Sequence, residues 1–175
     1  YLGTGTYSPV SFVQSTFWRY DPATNTWTQR ADVPGGYRNN AVGFEIDGIG
    51  YIGTGTGAGG VFKKDFWAYD PGTDTWTQKA DFGGAHRRSA FGAALDGKGY
   101  IGGGTDQVTN FNDFWNYDPL TDAWTQMANV PGPVEYVEGV AFDAFKFTQE
   151  SNTTLARASL RQDHHHLLEG TSNRQ

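Results

Sequence analysis

The side chains best equipped for chemistry fall in three short runs: Tyr37-Arg38, His86-Arg87-Arg88 and Glu135-Tyr136. Arg38 and Arg87 stand 49 residues apart. A guanidinium presents a planar fork of donors that matches a carboxylate, so such a pair suits an acidic peptide or a carboxylated sugar. His86 and Glu135 add groups able to move a proton near neutral pH. A structural use competes with this one, in which each Arg ties loop carbonyls together. The third run carries Glu135 and Tyr136 where the others carry Arg, so any ligand site is asymmetric. Elsewhere, His164, His165 and His166 are consecutive and cannot all face one ordered site on a helix or strand, so no metal site is expected. Asn152-Thr153-Thr154 fits the glycosylation sequon. The chain has no Cys, which excludes disulfides, thiolate nucleophiles and Cys-ligated zinc.

The elements that must position these runs are repeated. Residues 17–29 read FWRYDPATNTWTQ, residues 66–78 FWAYDPGTDTWTQ, and residues 114–126 FWNYDPLTDAWTQ. Ahead of them stand YLGTGT at Tyr1, YIGTGT at Tyr51 and YIGGGT at Tyr100. Ahead of the last two stand AVGFEIDGIG from Ala41 and AFGAALDGKG from Ala90. Each unit reads as four short antiparallel strands: 41–47, 51–55, 66–70 and 76–80 in one, 90–96, 100–104, 114–118 and 124–128 in the next. Asp47-Gly48 and Asp96-Gly97 signal tight hairpins. The DPxTxx stretch signals a wider reversal, with Pro fixing φ and Asp or Asn bonding nearby backbone. On the third strand Trp67 and Tyr69 point to one face and Phe66 and Ala68 to the other. Rings on both faces predict sheets packed against sheets.

These residues resemble the kelch motif. The Tyr-to-Trp spacing recurs from Tyr20 to Trp27, Tyr69 to Trp76 and Tyr117 to Trp124. The motif's diglycine is intact at Gly102-Gly103, while Thr4 and Thr54 replace the second Gly in the other units. The resemblance implies an all-β fold, a kelch-type β-propeller of four-stranded blades, with the first strand of each blade at a central axis. Residues 1–143 then form a propeller segment of about three blades: a partial blade at 1–32, blades at 41–80 and 90–128, and the first strand of a further blade at 137–143. Residues 144–175 form a divergent tail, expected as a disordered segment or a loosely attached helix, whose abrupt change of composition is also the pattern left by a shifted reading frame. A closed propeller needs about four to eight blades. Three arrangements stand open: part of a longer propeller, two copies sharing a ring, or closure across the chain's own ends.

In such a fold the runs around Arg38, Arg87 and Glu135 lie at the mouth of the axial channel. They share that face with the loops between second and third strands, which carry Phe12, Phe62 and Phe111 and do not repeat. The candidate ligand-binding residues are therefore Tyr37, Arg38, His86, Arg87, Glu135, Phe12, Phe62 and Phe111. The phenylalanines either anchor a partner or fold back on their blades. The resemblance implies a binding or scaffold module of an exported bacterial protein, contacting protein or glycan. A sugar-acid mutarotase and purely architectural blades are the alternatives. The copper oxidases of the same superfamily need a Cys-linked Tyr, so no cofactor is expected. The net charge of −6 and the lack of a basic run argue against nucleic acid. No apolar run approaches the roughly 18 residues of a membrane-spanning helix. Open blade edges leave self-association as a further contact.

Overall fold

The turn residues set the architecture. Asp47 and Gly48 take φ of 50° and 84°, and Asp96 and Gly97 take 50° and 71°. Both central residues of each two-residue loop are thus left-handed, the turn that matches the twist of its flanking strands. These hairpins join β4 (Val42–Ile46) to β5 (Ile49–Gly53) and β8 (Phe91–Leu95) to β9 (Lys98–Gly102). At the wider reversals, the carboxylates of Asp21, Asp70 and Asp118 accept the backbone N–H of Ala23, Gly72 and Leu120. Those turns join β2 (Phe12–Asp21) to β3 (Thr26–Arg30), β6 (Phe66–Asp70) to β7 (Thr75–Lys79), and β10 (Phe114–Asp118) to β11 (Ala123–Met127). The first strand, β1, spans Leu2–Tyr7.

The computed structural model describes residues 1–7 and 12–131, all within one compact unit. Glu135, the expected strand at 137–143, the sequon and the histidine run lie outside them. The strands form three antiparallel sheets in meander order: β1-β2-β3, β4-β5-β6-β7 and β8-β9-β10-β11. They are blades of a partial propeller. β6 and β10 coincide with the predicted spans, while the neighbouring strands begin one or two residues away from theirs. Phe12 differs more. It lies on β2, paired with Tyr7, and not in a loop. Phe12–Thr16 is a run without Gly, Asp or Asn, so β2 extends where the later units, rich in those residues, turn away.

One rule joins consecutive sheets. Phe17 of the first sheet sits between Tyr69 and Trp76 of the second, with ring centroids at 4.8 and 5.1 Å. Phe66 of the second sits between Tyr117 and Trp124 of the third, at 4.9 and 5.0 Å. Polar bonds frame each insertion. Asp74 accepts from the Tyr69 hydroxyl and from the backbone N–H of Ala31, while Trp76 Nε1 donates to the Ala31 carbonyl at 2.8 Å. Asp122, Tyr117, Trp124 and Ala80 repeat the arrangement. Nearer the axis, β4 packs on β8 so closely that a Cβ on Gly92 would meet Val42 Cγ1 at 2.2 Å, and one on Gly99 would meet the Phe44 ring at 2.4 Å.

Two outcomes follow. Gly99→Val forces an extra side chain into the Phe44 ring and lowers unfolding stability by about 1–3 kcal/mol, read from urea denaturation. The second concerns acid. Burial alone would raise the Asp122 pKa, but the Ala80 N–H and the Tyr117 hydroxyl outweigh it and hold the carboxyl below its ordinary value. At Asp74 the Ala31 N–H and then the Tyr69 hydroxyl do the same. A carboxyl depressed in the folded state stabilises above its unfolded pKa of about 3.9, and that contribution vanishes as pH falls through the folded value. Asp74→Asn/Asp122→Asn keeps both acceptors but not the charge, so stability near pH 7 falls modestly toward that of the protonated wild type. The loss of urea midpoint between about pH 4 and 2 becomes shallower than in the wild type.

Candidate functional site

The loops at the inner ends of the sheets are built on two arginines. Arg38 and Arg87 have no exposed surface. Arg38 reaches across its own sheet, donating to the Thr54 carbonyl at 3.1 Å and to Asp65 Oδ2 at 2.5 Å. Arg87 donates to the Gly103 carbonyl at 2.9 Å and grips both oxygens of Asp113, at 2.5 and 2.9 Å. Each aspartate also accepts from the indole two residues on, Trp67 or Trp115, at 2.7 Å. Burial pushes the Asp113 pKa up, but these hydrogen bonds and the Arg87 charge overcome it and hold the group below its usual range. The arginine backbones face the other way. The Arg38 carbonyl accepts from Gly5 of the preceding sheet, and the Arg87 carbonyl accepts from Gly55. One residue therefore anchors its own blade through the side chain and the preceding blade through the main chain.

Thr4, Thr54 and Gly103 share a left-handed backbone, with φ of 62°, 58° and 64°. The threonines that replace the second Gly of the diglycine occupy a conformation a β-branched residue rarely adopts. Thr54 is buried with its hydroxyl unpaired, immediately beside the carbonyl that Arg38 bonds. The arginine anchor thus holds a strained corner of the loop.

On this base the remaining candidates divide. Phe111 is half-buried under the Arg87 guanidinium, 4.0 Å from its ring centroid, so it folds back on its blade. Phe62 stacks on His86, with centroids 6.1 Å apart and planes within 9°. The Arg88 guanidinium lies 5.8 Å from the same Phe62 ring, and its buried Nε has no hydrogen-bond partner. His86 and Tyr37 are exposed, at equivalent positions of successive loops. Lys63, beside Phe62, donates to the Gly35 carbonyl. The structure therefore brings Phe62, His86 and Arg88 together, while the Lys63 ammonium turns toward Gly35 and the Tyr37 loop. Among the described residues no group of His, Cys, Asp or Glu is placed to hold a metal ion. Sequence reading passed over Asp65 and Asp113, and named Arg88 within its run without making it a candidate. The signal for the first two is the repeated Asp-Phe-Trp, which stands 27 and 26 residues beyond the paired arginines.

A twisted meander of four strands, repeated and joined at buried arginines, is the blade of a propeller. The Kelch motif family matches residues 86–131, the third unit. Among solved structures, that of YjhT is similar, with a TM-score of 0.60 at 20% identity. The match covers 67% of this chain and 46% of that one, so this chain spans about half of its length. A search of curated proteins finds no match. Residues 86–131 carry the Kelch motif, and the three described sheets have the fold of β-propeller blades. Among the described residues no helix is long and apolar enough to cross a membrane.

Arg87→Met would leave Asp113 without its cation in a mostly buried site. That change should lower stability by about 3–5 kcal/mol in urea denaturation, with Arg87→Lys losing less. A neutral Arg87→Met would remove the arginine from this structural role.

Proposed function

We propose that this chain is a binding module whose contact face is the cluster Phe62, Lys63, His86 and Arg88, flanked by Tyr37, and that it takes carboxylate-bearing surfaces of a protein or glycan. The observation that carries this reading is Arg88, a half-buried cation whose guanidinium lies 5.8 Å from the centroid of the Phe62 ring, which in turn stacks on His86. His86 adds a donor beside it and Lys63 a second cation nearer Tyr37, in a chain whose overall charge is −6. A local cationic patch on an acidic protein selects for anionic partners and repels the rest of its own surface. Arg38 and Arg87 act as the posts beneath the face, since their guanidinium groups are already occupied within the blades. Phe111 belongs to the posts as well. Glu135, Phe12 and the exported setting enter this reading only through the kelch resemblance. The open blade edges supply a second kind of contact, with another copy of the chain.

The test is titration calorimetry with an oligo-glutamate peptide and, separately, with a carboxylated sugar. Arg88→Ala should weaken binding of at least one probe about tenfold. It should leave thermal unfolding within a few degrees of wild type. Val108→Ser, at an exposed position of the next loop, should change neither. Equal binding of a neutral peptide, or no effect of Arg88→Ala, would sink the proposal. Turnover of a reducing sugar acid, followed by proton NMR, would transfer the site to an enzyme.

A further inference from the structure

The loop face is a fan of paired backbone segments. Asn39 pairs with Thr56, and Thr56 with Phe62. The Lys63 carbonyl accepts from the Arg87 N–H at 3.2 Å, and Arg88 pairs with Thr105. At the inner tip of the fan the 37–40 and 86–89 runs meet, where the Asn40 carbonyl accepts from the Ser89 N–H at 3.0 Å. Outward from that tip the two runs diverge, because the segments at Thr56 and Phe62–Lys63 lie between them.

Phe62 and Lys63 send their side chains to opposite sides of this fan. Phe62 turns toward the 86–89 run, where His86 stacks on it and the Arg88 guanidinium lies 5.8 Å from its centroid. Lys63 turns toward the 37–40 run. Its Cε fills the place a Cβ on Gly57 would take, and its ammonium reaches the Gly35 carbonyl at 2.6 Å. That bond uses one of three ammonium donors and leaves two. Tyr37 stands beside it, its carbonyl 3.2 Å from the same Gly57 position and its ring exposed. The face therefore carries two cationic points. With neighbouring segments roughly 4.8 Å apart, the ammonium and the guanidinium are two to three steps from each other, about 10–14 Å. The Thr56 segment that separates them continues into Gly57–Gly60, where no side chain is larger than a methyl group, so a main chain can lie across it.

We infer that the partner is an extended protein segment with two carboxylates four residues apart, one met by Arg88 and the other by Lys63. This rests on the binding reading above and narrows it from any carboxylate-bearing surface to a spaced pair. In an extended chain, positions i and i+4 lie on one face about 13 Å apart, which matches the span, whereas i and i+2 reach only about 7 Å. Tyr37 and Val61, both exposed at the rim, offer apolar surface to the side chains beside the two acids. Phe62 is already stacked on His86, so its ring is a poor platform for a hydroxyl-rich sugar. Once one carboxylate is held, the second meets its cation as an intramolecular event and adds to the affinity without a further association step.

Titration calorimetry of the full chain with three Gly/Ser peptides tests it. One carries two Glu four residues apart, one has the second Glu replaced by Gln, and one has the two Glu only two residues apart. The first should bind at least about tenfold more tightly than the others. Lys63→Ala should bring it down to the affinity of the single-Glu peptide and leave that peptide's own affinity unchanged. Lys63→Gln, which keeps a donor toward Gly35 without the charge, should do the same, so that a disturbed loop is not the cause. Lys98→Ala removes a positive charge at the opposite end of the third sheet and should alter none of these affinities. Equal binding of all three peptides, each weakened by Arg88→Ala, would overturn the spaced pair while leaving the Arg88 site standing. Binding of an oligomer of uronic acids but of none of the peptides would overturn the protein partner in favour of a glycan. Failure of every probe to bind would overturn this inference together with the reading beneath it.

Discussion

Each arginine at the head of a blade resolves a conflict between two demands. The loops must bring successive sheets close enough for Val42 to touch Gly92, and they must do so without leaving buried carbonyls unpaired. The guanidinium satisfies the Thr54 or Gly103 carbonyl inside its own sheet, and the same residue's carbonyl takes the N–H of Gly5 or Gly55 from the preceding one. Desolvating a guanidinium is costly unless its charge and donors are met: Asp65 and Asp113 meet the charge, and Arg87 Nε donates to the Ala85 carbonyl, whereas Arg38 Nε is buried without a partner. The second sheet is the looser version. Asp65 uses one oxygen toward Arg38 while its Oδ1 is buried unpaired, whereas Asp113 engages Arg87 with both.

The outer half of each blade is held differently. There the contact is a ring between two rings, closed by a short polar circuit from the turn to the end of the neighbouring outer strand. Burial of such aromatic surface supplies most of the attraction, and the circuit sets its register. The outermost strands remain polar on their exposed side, with Thr77, Gln78, Thr125 and Gln126 facing solvent. The inner loops are thus free to vary once the arginine and its aspartate are in place, which is where Phe62, His86 and Arg88 differ from their counterparts in the next unit.

Much of the frame was readable from spacing. The hairpins at Asp47-Gly48 and Asp96-Gly97, the strands at 66–70 and 114–118, and the opposed faces of Phe66 and Tyr69 all follow from local pattern. Phe12 was misplaced because a variable segment offers no repeat to compare, and its strand-forming composition was given too little weight. The two readings of the paired arginines could not be separated from the chain alone. Their partners lie 26 and 27 residues away, and nothing local distinguishes a guanidinium bound to Asp113 from one open to a ligand. Arg88 was hidden for the opposite reason. It lies beside Arg87, and only the fold turns one inward and leaves the other over Phe62.

The division of labour between arginine anchors and ring insertions also bears on how the chain comes apart. The Arg–Asp pairs secure a sheet to itself, while the Asp–Trp circuits secure it to a neighbour, so breaking the second need not break the first. Repeated units linked in this way part along the seams between sheets, each sheet staying largely intact. Amides whose bonds cross between sheets, such as those of Ala31 and Ala80, should accordingly trade protons with solvent sooner than those paired within a sheet.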